Sequence, residues 1–195
     1  MDQETWLYTG MGDDSETRAR ILRRHLGLEL NLPPDAVTLR SGPGGKPELA
    51  DTALGLWFNL SHCPGLLLIA TSRRGNVGAD LETMARCRQS ADLAAREFST
   101  AERKMLAALP ATSRPLAFAR LWTGKEAVLK ARGTGIVQGL AQPDLAPILD
   151  GEIPPPWTHI VAEMGDDHYT VSWYTLPIHE AMVVAARADD AAAMA

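Results

Sequence analysis

The chain has little cysteine: two residues in 195, Cys63 and Cys87, with no Cys-x-x-Cys pair. A disulfide scaffold and a thiolate zinc site both lose their usual support. It has no excess of positive charge. A net charge of −5 argues against a general nucleic-acid binder, whose surface is normally basic, although Arg18, Arg20, Arg23 and Arg24 crowd one segment. It lacks a long apolar run near its acidic start, Met1-Asp2-Gln3-Glu4. Neither a signal peptide nor a membrane span is expected, and free thiols in the cytoplasm are the simplest setting. No Gly-x-x-x-x-Gly-Lys-Ser/Thr loop occurs, which disfavours a P-loop nucleotide enzyme. The rest is ordinary. A composition of 46% hydrophobic and 22% charged residues suits a globular protein, with length for one good-sized domain or two small packed halves.

Local patterning gives a mixed reading. Residues 15 to 30 carry an apolar stripe (Ile21, Leu22, Leu26, Leu30) behind a possible Ser15 cap, so a helix is expected, stopped by Pro33-Pro34. Val37 to Leu39 is a short strand, followed by a Gly- and Pro-rich loop through Pro47. Leu56 to Ser61, Leu66 to Thr71 and Val77 to Leu81 read as three strands joined by tight turns, which implies an antiparallel sheet. The texture then turns helical: 91 to 98, then a capping box at Ser99-Thr100-Ala101-Glu102, then a longer helix from about Pro115 to Ala131 with Gly133 past its end. Residues 143 to 157 read as an irregular Pro-rich connection, Tyr169 to Thr175 and Ala181 to Ala186 as further strands, and 188 to 195 as a frayed tail. No repeat is visible in the letters, yet each half reads as helix plus strands, which allows two similar lobes.

Four charged residues stand out. Asp80 and Glu82 are two apart on a strand and so share a face. Glu126 and Lys130 are four apart on a helix and so stack one turn apart. Alone, the first pair reads as two solvated acids and the second as a surface ion pair. Two neighbours argue otherwise: Gly78 leaves room for a close approach beside the acids, and Trp122, one turn before Glu126, favours a packed interface. If strand and helix meet, three carboxylates and an ammonium converge. Clustered carboxylates repel unless a cation sits among them, and hard oxygen donors beside an ammonium suit Mg²⁺ and a phosphate-bearing substrate. His62 stands at the end of an apolar strand, where ligands are met. Lys46, after glycines, could help cradle an anion.

In order, Gly45-Lys46-Pro47, Phe58-Asn59-Leu60-Ser61-His62, Val77-Gly78-Ala79-Asp80-Leu81-Glu82, Phe98-Ser99, and Leu121-Trp122-Thr123-Gly124-Lys125-Glu126-Ala127-Val128-Leu129-Lys130 with Gly133-Thr134-Gly135-Ile136 resemble the 4′-phosphopantetheinyl transferases of the surfactin-synthetase-activating type. The resemblance spans roughly residues 45 to 136. Ala79 departs from the family's usual Val or Ile, and Cys63 from a frequent Ser; every charged position matches.

The resemblance implies an α+β fold of two similar lobes related by a pseudo-twofold, each a small antiparallel sheet packed with helices, with the active site between them. The lobes are expected at 1–84 and 85–187, with 188–195 a disordered tail, in a cytoplasmic monomer. It implies transfer of phosphopantetheine from coenzyme A to a serine of an apo acyl or peptidyl carrier protein of fatty-acid, polyketide or nonribosomal-peptide synthesis, releasing 3′,5′-ADP. Asp80, Glu82 and Glu126 would hold Mg²⁺. Glu126 would also be a base for the serine, directly or through water, and Lys130 would contact phosphate and protonate the leaving oxygen. Lys46, Pro47, Ser61 and His62 would hold the coenzyme, with Arg20 or Arg23 on its 3′-phosphate. The competing expectation is a module that grips coenzyme A or a carrier without chemistry. No nucleic-acid or membrane partner is expected.

Overall fold

Complete burial of Leu66–Ser72 makes this run the centre of the first sheet, and Trp57–Cys63, with its alternating burial, lies beside it. The computed structural model describes residues 3–42, 45–88, 95–135, 139–149, 158–178 and 181–190. Strand β1 (Gln3–Thr9) is followed by helix α1 (Ser15–Leu30), a two-stranded ribbon β2 (Leu39–Ser41) and β3 (Pro47–Leu49), then β4 (Trp57–Cys63), β5 (Leu66–Ser72) and β6 (Val77–Thr83). Helices α2 (Thr100–Ala108) and α3 (Arg114–Arg132) come next, then β7 (Thr158–Met164), β8 (Asp167–Ile178) and β9 (Ala181–Asp190).

The fold is α+β, with small antiparallel sheets packed by helices. One sheet has the order β1-β5-β4 and the other β6-β9-β8-β7. The third strand of the expected meander therefore leaves its neighbours. Val77–Thr83 pairs antiparallel with β9, Val77 opposite Asp189 and Thr83 opposite Val183. Beside β4 it is held by side chains instead: the Ala79 N–H donates to Asn59 Oδ1 at 3.0 Å and the Cys63 thiol to the Leu81 carbonyl at 3.2 Å. Tight turns predicted three strands in sequence; they did not specify that the last ladder would be closed by a strand more than a hundred residues away.

Helix α1 starts on Asp14, one residue before the expected cap, with Thr17 N–H donating to Asp14 Oδ1 at 2.7 Å. It stops on Asn31 in the left-handed region (φ 55°), before the two prolines act. The capping box at Ser99 and Glu102 forms as expected. Of the helix expected over 91–98, residues 91–94 lie outside the described residues, and Ala95–Glu97 is a single 3-10 turn. The tail expected from 188 is strand up to Asp190, and Asp189 is buried under two hydrogen bonds from Arg187. Residues 191–195 lie outside the described residues. Strands β1, β3 and β7 were not foreseen.

Three apolar clusters hold the elements together. One lies between α1 and the first sheet around Leu26, Phe58 and Ile69. A second joins the two sheets through Leu68, Ala79, Leu81 and Ala185. The third surrounds α3, whose Leu121, Val128 and Leu129 pack with Trp173 and Val184 of the second sheet. Among the described residues, no helix is long and apolar enough to cross a membrane.

Candidate active site

Gly78 fixes where the site forms. A Cβ there would lie 1.9 Å from the Ala127 carbonyl oxygen and 2.5 Å from the Ala131 nitrogen, so only glycine lets β6 press directly on the backbone of α3. The expected close approach is to a helix, and it aligns Asp80 and Glu82 with the helix face that carries Glu126 and Lys130. All three acids are buried, while Ala79 and Leu81 point the other way into the inter-sheet core.

Asp80 Oδ1 accepts from Lys130 Nζ at 2.6 Å and from Ser61 Oγ at 2.9 Å. Lys130 Nζ also donates to the Ala79 carbonyl (3.2 Å) and to Ser61 Oγ (3.3 Å). Glu82 accepts from the Cys63 thiol at 3.2 Å and pairs with Arg86 Nε at 3.2 Å. Alternate residues of β4 (Asn59, Ser61, Cys63) thus all reach β6. Two oxygens, Asp80 Oδ2 and Glu126 Oε1, are buried without a hydrogen-bond partner among the described residues.

The electrostatics follow from this crowding. Burial, reinforced by the Asp80 carboxylate and only partly offset by Lys130, pushes Glu126 up to about 7. Burial also raises Glu82, against the Cys63 hydrogen bond and Arg86. Lys46 and His62 shift the other way: burial lowers both. Beyond burial, the cations Arg18, Lys130 and Arg86 all disfavour a proton on His62, while Asp13 favours it.

Among the described residues, no three His, Cys, Asp or Glu side chains are gathered closely enough to hold a metal ion as they stand. Lys130 and Arg86 instead occupy Asp80 and Glu82. The donor set nonetheless suits a hard cation. Two orphaned carboxylate oxygens and three mutually repelling acids leave a local excess of negative charge that a divalent ion would relieve.

Beside the acids lies an open cleft of about 720 Å³ lined by Lys46, Pro47, Ser61, His62, Lys130 and the turn after α3, including Gly133 to Gly135. Of the residues expected to hold a coenzyme, these four from 46 to 62 are brought together. Lys46, however, spends its ammonium on backbone, donating to the carbonyls of Lys130 (3.1 Å) and Val77 (3.4 Å). Neither Arg20 nor Arg23 lines the cleft. The charge of Arg18, on the same helix, reaches His62. An i, i+2 or i+5 choice among clustered arginines depends on how α1 is rotated on its sheet, which spacing does not encode. Asn59, Cys63, Arg18 and Arg86 were missed as site residues; for Asn59 and Cys63 the period-two spacing with Ser61 was the available signal.

The sequence profile of the 4′-phosphopantetheinyl transferase superfamily matches residues 76–188. The 4′-phosphopantetheinyl transferase HetI of Nostoc is 40% identical over 120 residues, 60% of this chain and 51% of its own length. A Synechocystis protein provisionally named a 4′-phosphopantetheinyl transferase is 40% identical over 122 residues, 62% of this chain and 50% of its own. The transferase psf-1 of Bacillus pumilus is 33% identical over 124 residues, 62% of this chain and 51% of its own. The chain spans about half the length of the curated relatives it matches. With residues 76–188 carrying the acid strand, the helix of Glu126 and Lys130, and the second sheet, this chain belongs to the 4′-phosphopantetheinyl transferase superfamily.

Proposed function

We propose that the chain transfers 4′-phosphopantetheine from coenzyme A to a serine hydroxyl of an apo carrier protein, with 3′,5′-ADP as the leaving product. The observation that carries this is the meeting of Asp80, Glu82, Glu126 and Lys130 at the edge of a cleft that also exposes His62. Attack on a phosphoryl centre needs charge neutralisation and alignment more than covalent help. Asp80, Glu82 and Glu126 would hold Mg²⁺, which when bound neutralises charge on the diphosphate. Lys130 donates to a phosphate oxygen and protonates the leaving oxygen. Glu126 accepts the serine proton, directly or through a water; a carboxylate beside Mg²⁺ is a weak base, which favours the water-relayed or late transfer. His62, on which the charges of Arg18 and Arg86 act, offers the coenzyme's remaining phosphate charge a partner. Pro47 and the turn after α3 shape the wall of the cleft.

This reading carries a division of the chain into lobes at 1–84 and 85–187, acting as a monomer, with β6 the strand that the first lobe contributes to the sheet of the second.

The test is intact-mass measurement of a panel of apo carriers after incubation with the protein, coenzyme A and Mg²⁺. A phosphopantetheine-sized gain on at least one carrier is expected, abolished by chelation. Coenzyme A binding with no gain on any carrier would instead make the chain a binding module. Asp80→Asn and Lys130→Ala should each lower kcat/KM by about 10²–10³, the usual effect of removing one group that stabilises transition-state charge. Full activity in either variant removes that residue from the mechanism.

A further inference from the structure

The acids of the cleft already have cations. Lys130 Nζ is 2.6 Å from Asp80 Oδ1, and Arg86 Nε is 3.2 Å from Glu82 Oε2. Lys130 holds Asp80 by one carboxylate oxygen only, leaving Oδ2 buried and unpartnered among the described residues. Its other partners, Ser61 Oγ and the Ala79 carbonyl, are neutral and longer. The lysine side chain is 29% exposed and lines the cleft, so its ammonium has room to swing. Asp80 keeps the Ser61 hydroxyl when the lysine leaves.

We propose that Lys130 and Arg86 are stand-in cations. In the free protein they neutralise Asp80 and Glu82. A divalent metal and a diphosphate-bearing ligand then enter as a coupled pair, because the diphosphate draws Lys130 off Asp80. The proposal rests on the cleft being the diphosphate site of the function proposed above. A metal placed beside an ammonium suffers like-charge repulsion. Moving that ammonium onto a phosphate removes the repulsion and forms a charge-assisted hydrogen bond. The diphosphate therefore binds the displaced state better, which is what shifting the equilibrium requires. By linkage the metal strengthens diphosphate binding by the same factor, about 5- to 150-fold for couplings of ordinary size. Arg86, with its side chain 66% exposed, yields more easily than Lys130.

The consequence is opposite in sign for binding and for turnover. Lys130→Met should impair transfer yet tighten metal binding to the free protein. The experiment is Mn²⁺ titration of the full chain, followed by calorimetry and by the electron spin resonance of free Mn²⁺. It is run without phosphate and then, at buffered free Mn²⁺, with coenzyme A or with ADP, a diphosphate that has no pantetheine arm. Without phosphate, Lys130→Met should bind Mn²⁺ about 5- to 10-fold more tightly than wild type, a factor at the low end of such couplings. Arg86→Gln, an exposed change that leaves the fold intact, should move the same way by less. Arg132→Gln removes a charge from the same end of α3 but pairs with Asp167 outside the cleft, and it should leave Mn²⁺ affinity at the wild-type value. In wild type, ADP and coenzyme A should both tighten Mn²⁺ binding. ADP alone tightening it upholds the proposal and overturns the coenzyme reading. The proposal is overturned if both Lys130→Met and Arg86→Gln bind Mn²⁺ no better than wild type, or if neither diphosphate changes the wild-type affinity.

Discussion

Burial and the carboxylate of Asp80 hold Glu126 near 7, against an ordinary value of 4.5 in the unfolded chain. Folding therefore favours its protonated form. That contribution is complete below the unfolded value and is lost as the pH rises through the folded one. The metal-free protein should lose thermal stability between about pH 5 and pH 8 through this group, and Glu126→Gln should flatten the slope in a Tm-versus-pH series. A slope unchanged in Glu126→Gln would assign it to another group. Protons and a divalent cation also compete for the same oxygens, so Mg²⁺ should raise Tm more at the alkaline end of that range than at the acid end. The charges of the site were legible one residue at a time, because spacing on a strand or helix fixes which side chains share a face. Their partners were not. The Ser61 hydroxyl on Asp80 and the Cys63 thiol on Glu82 depend on β4 lying beside β6, a fact of packing. Cys63, a departure from the family's frequent Ser, still donates through its thiol.

Helix α3 shows what an element can hide. Lys125 sits beside Glu126 in sequence but faces away from the acid cleft. Fully buried, it pairs with Glu102 Oε1 at 2.8 Å, donates to the Pro143 carbonyl and lies 5.3 Å from the centroid of the Phe98 ring. Glu102 in turn accepts from the backbone N–H groups of Ser99 and Leu145. This network pins α2 and the 143–145 segment to α3. Burial pushes the Lys125 ammonium below its ordinary range, offset in part by Glu102. Removing one partner of such a pair strands a buried charge, so Glu102→Ala should destabilise by about 3–5 kcal/mol in chemical denaturation; a loss under 1 kcal/mol would show the pair to be dispensable. On the opposite side of the helix, Gly78→Ala would drive a methyl into the Ala127 carbonyl. It should cost at least about 3 kcal/mol, beyond ordinary overpacking, and remove transfer activity with it. A stable, active Gly78→Ala protein would mean that β6 and α3 can separate without loss of function. The existence of α3 was plain from its pattern and its terminal Gly133. Its rotation was not: thirteen of its nineteen residues are buried, so no polar face marks which side meets β6 and which meets the second sheet.

Across the whole molecule, the two sheets are joined by a side chain that the sequence did not single out. Arg187 of β9 donates to the Glu4 carbonyl, to Thr5 Oγ1 (3.1 Å) and to the Thr71 carbonyl (2.8 Å), and it is neutralised by Asp189. One buried guanidinium thereby links β1 and β5 of the first sheet to β9 of the second. Arg187→Met should destabilise by about 3–5 kcal/mol, since it leaves Asp189 charged and buried. The loss should appear in the unfolding midpoint at constant slope with denaturant if the sheets unfold together. Two separated transitions would show that they are independent. The sequence by itself determined the chemistry available: three carboxylates, a lysine and a histidine, on elements whose periodicity sets which residues face the same way. Only the tertiary structure decided which of those groups meet. β6 leaves its sequence neighbours for β9, α3 turns Glu126 and Lys130 toward it, and Lys125 and Lys46 are taken up by internal partners. Periodicity acts over a few residues, whereas these choices depend on chain segments from 18 to more than a hundred residues apart finding complementary surfaces.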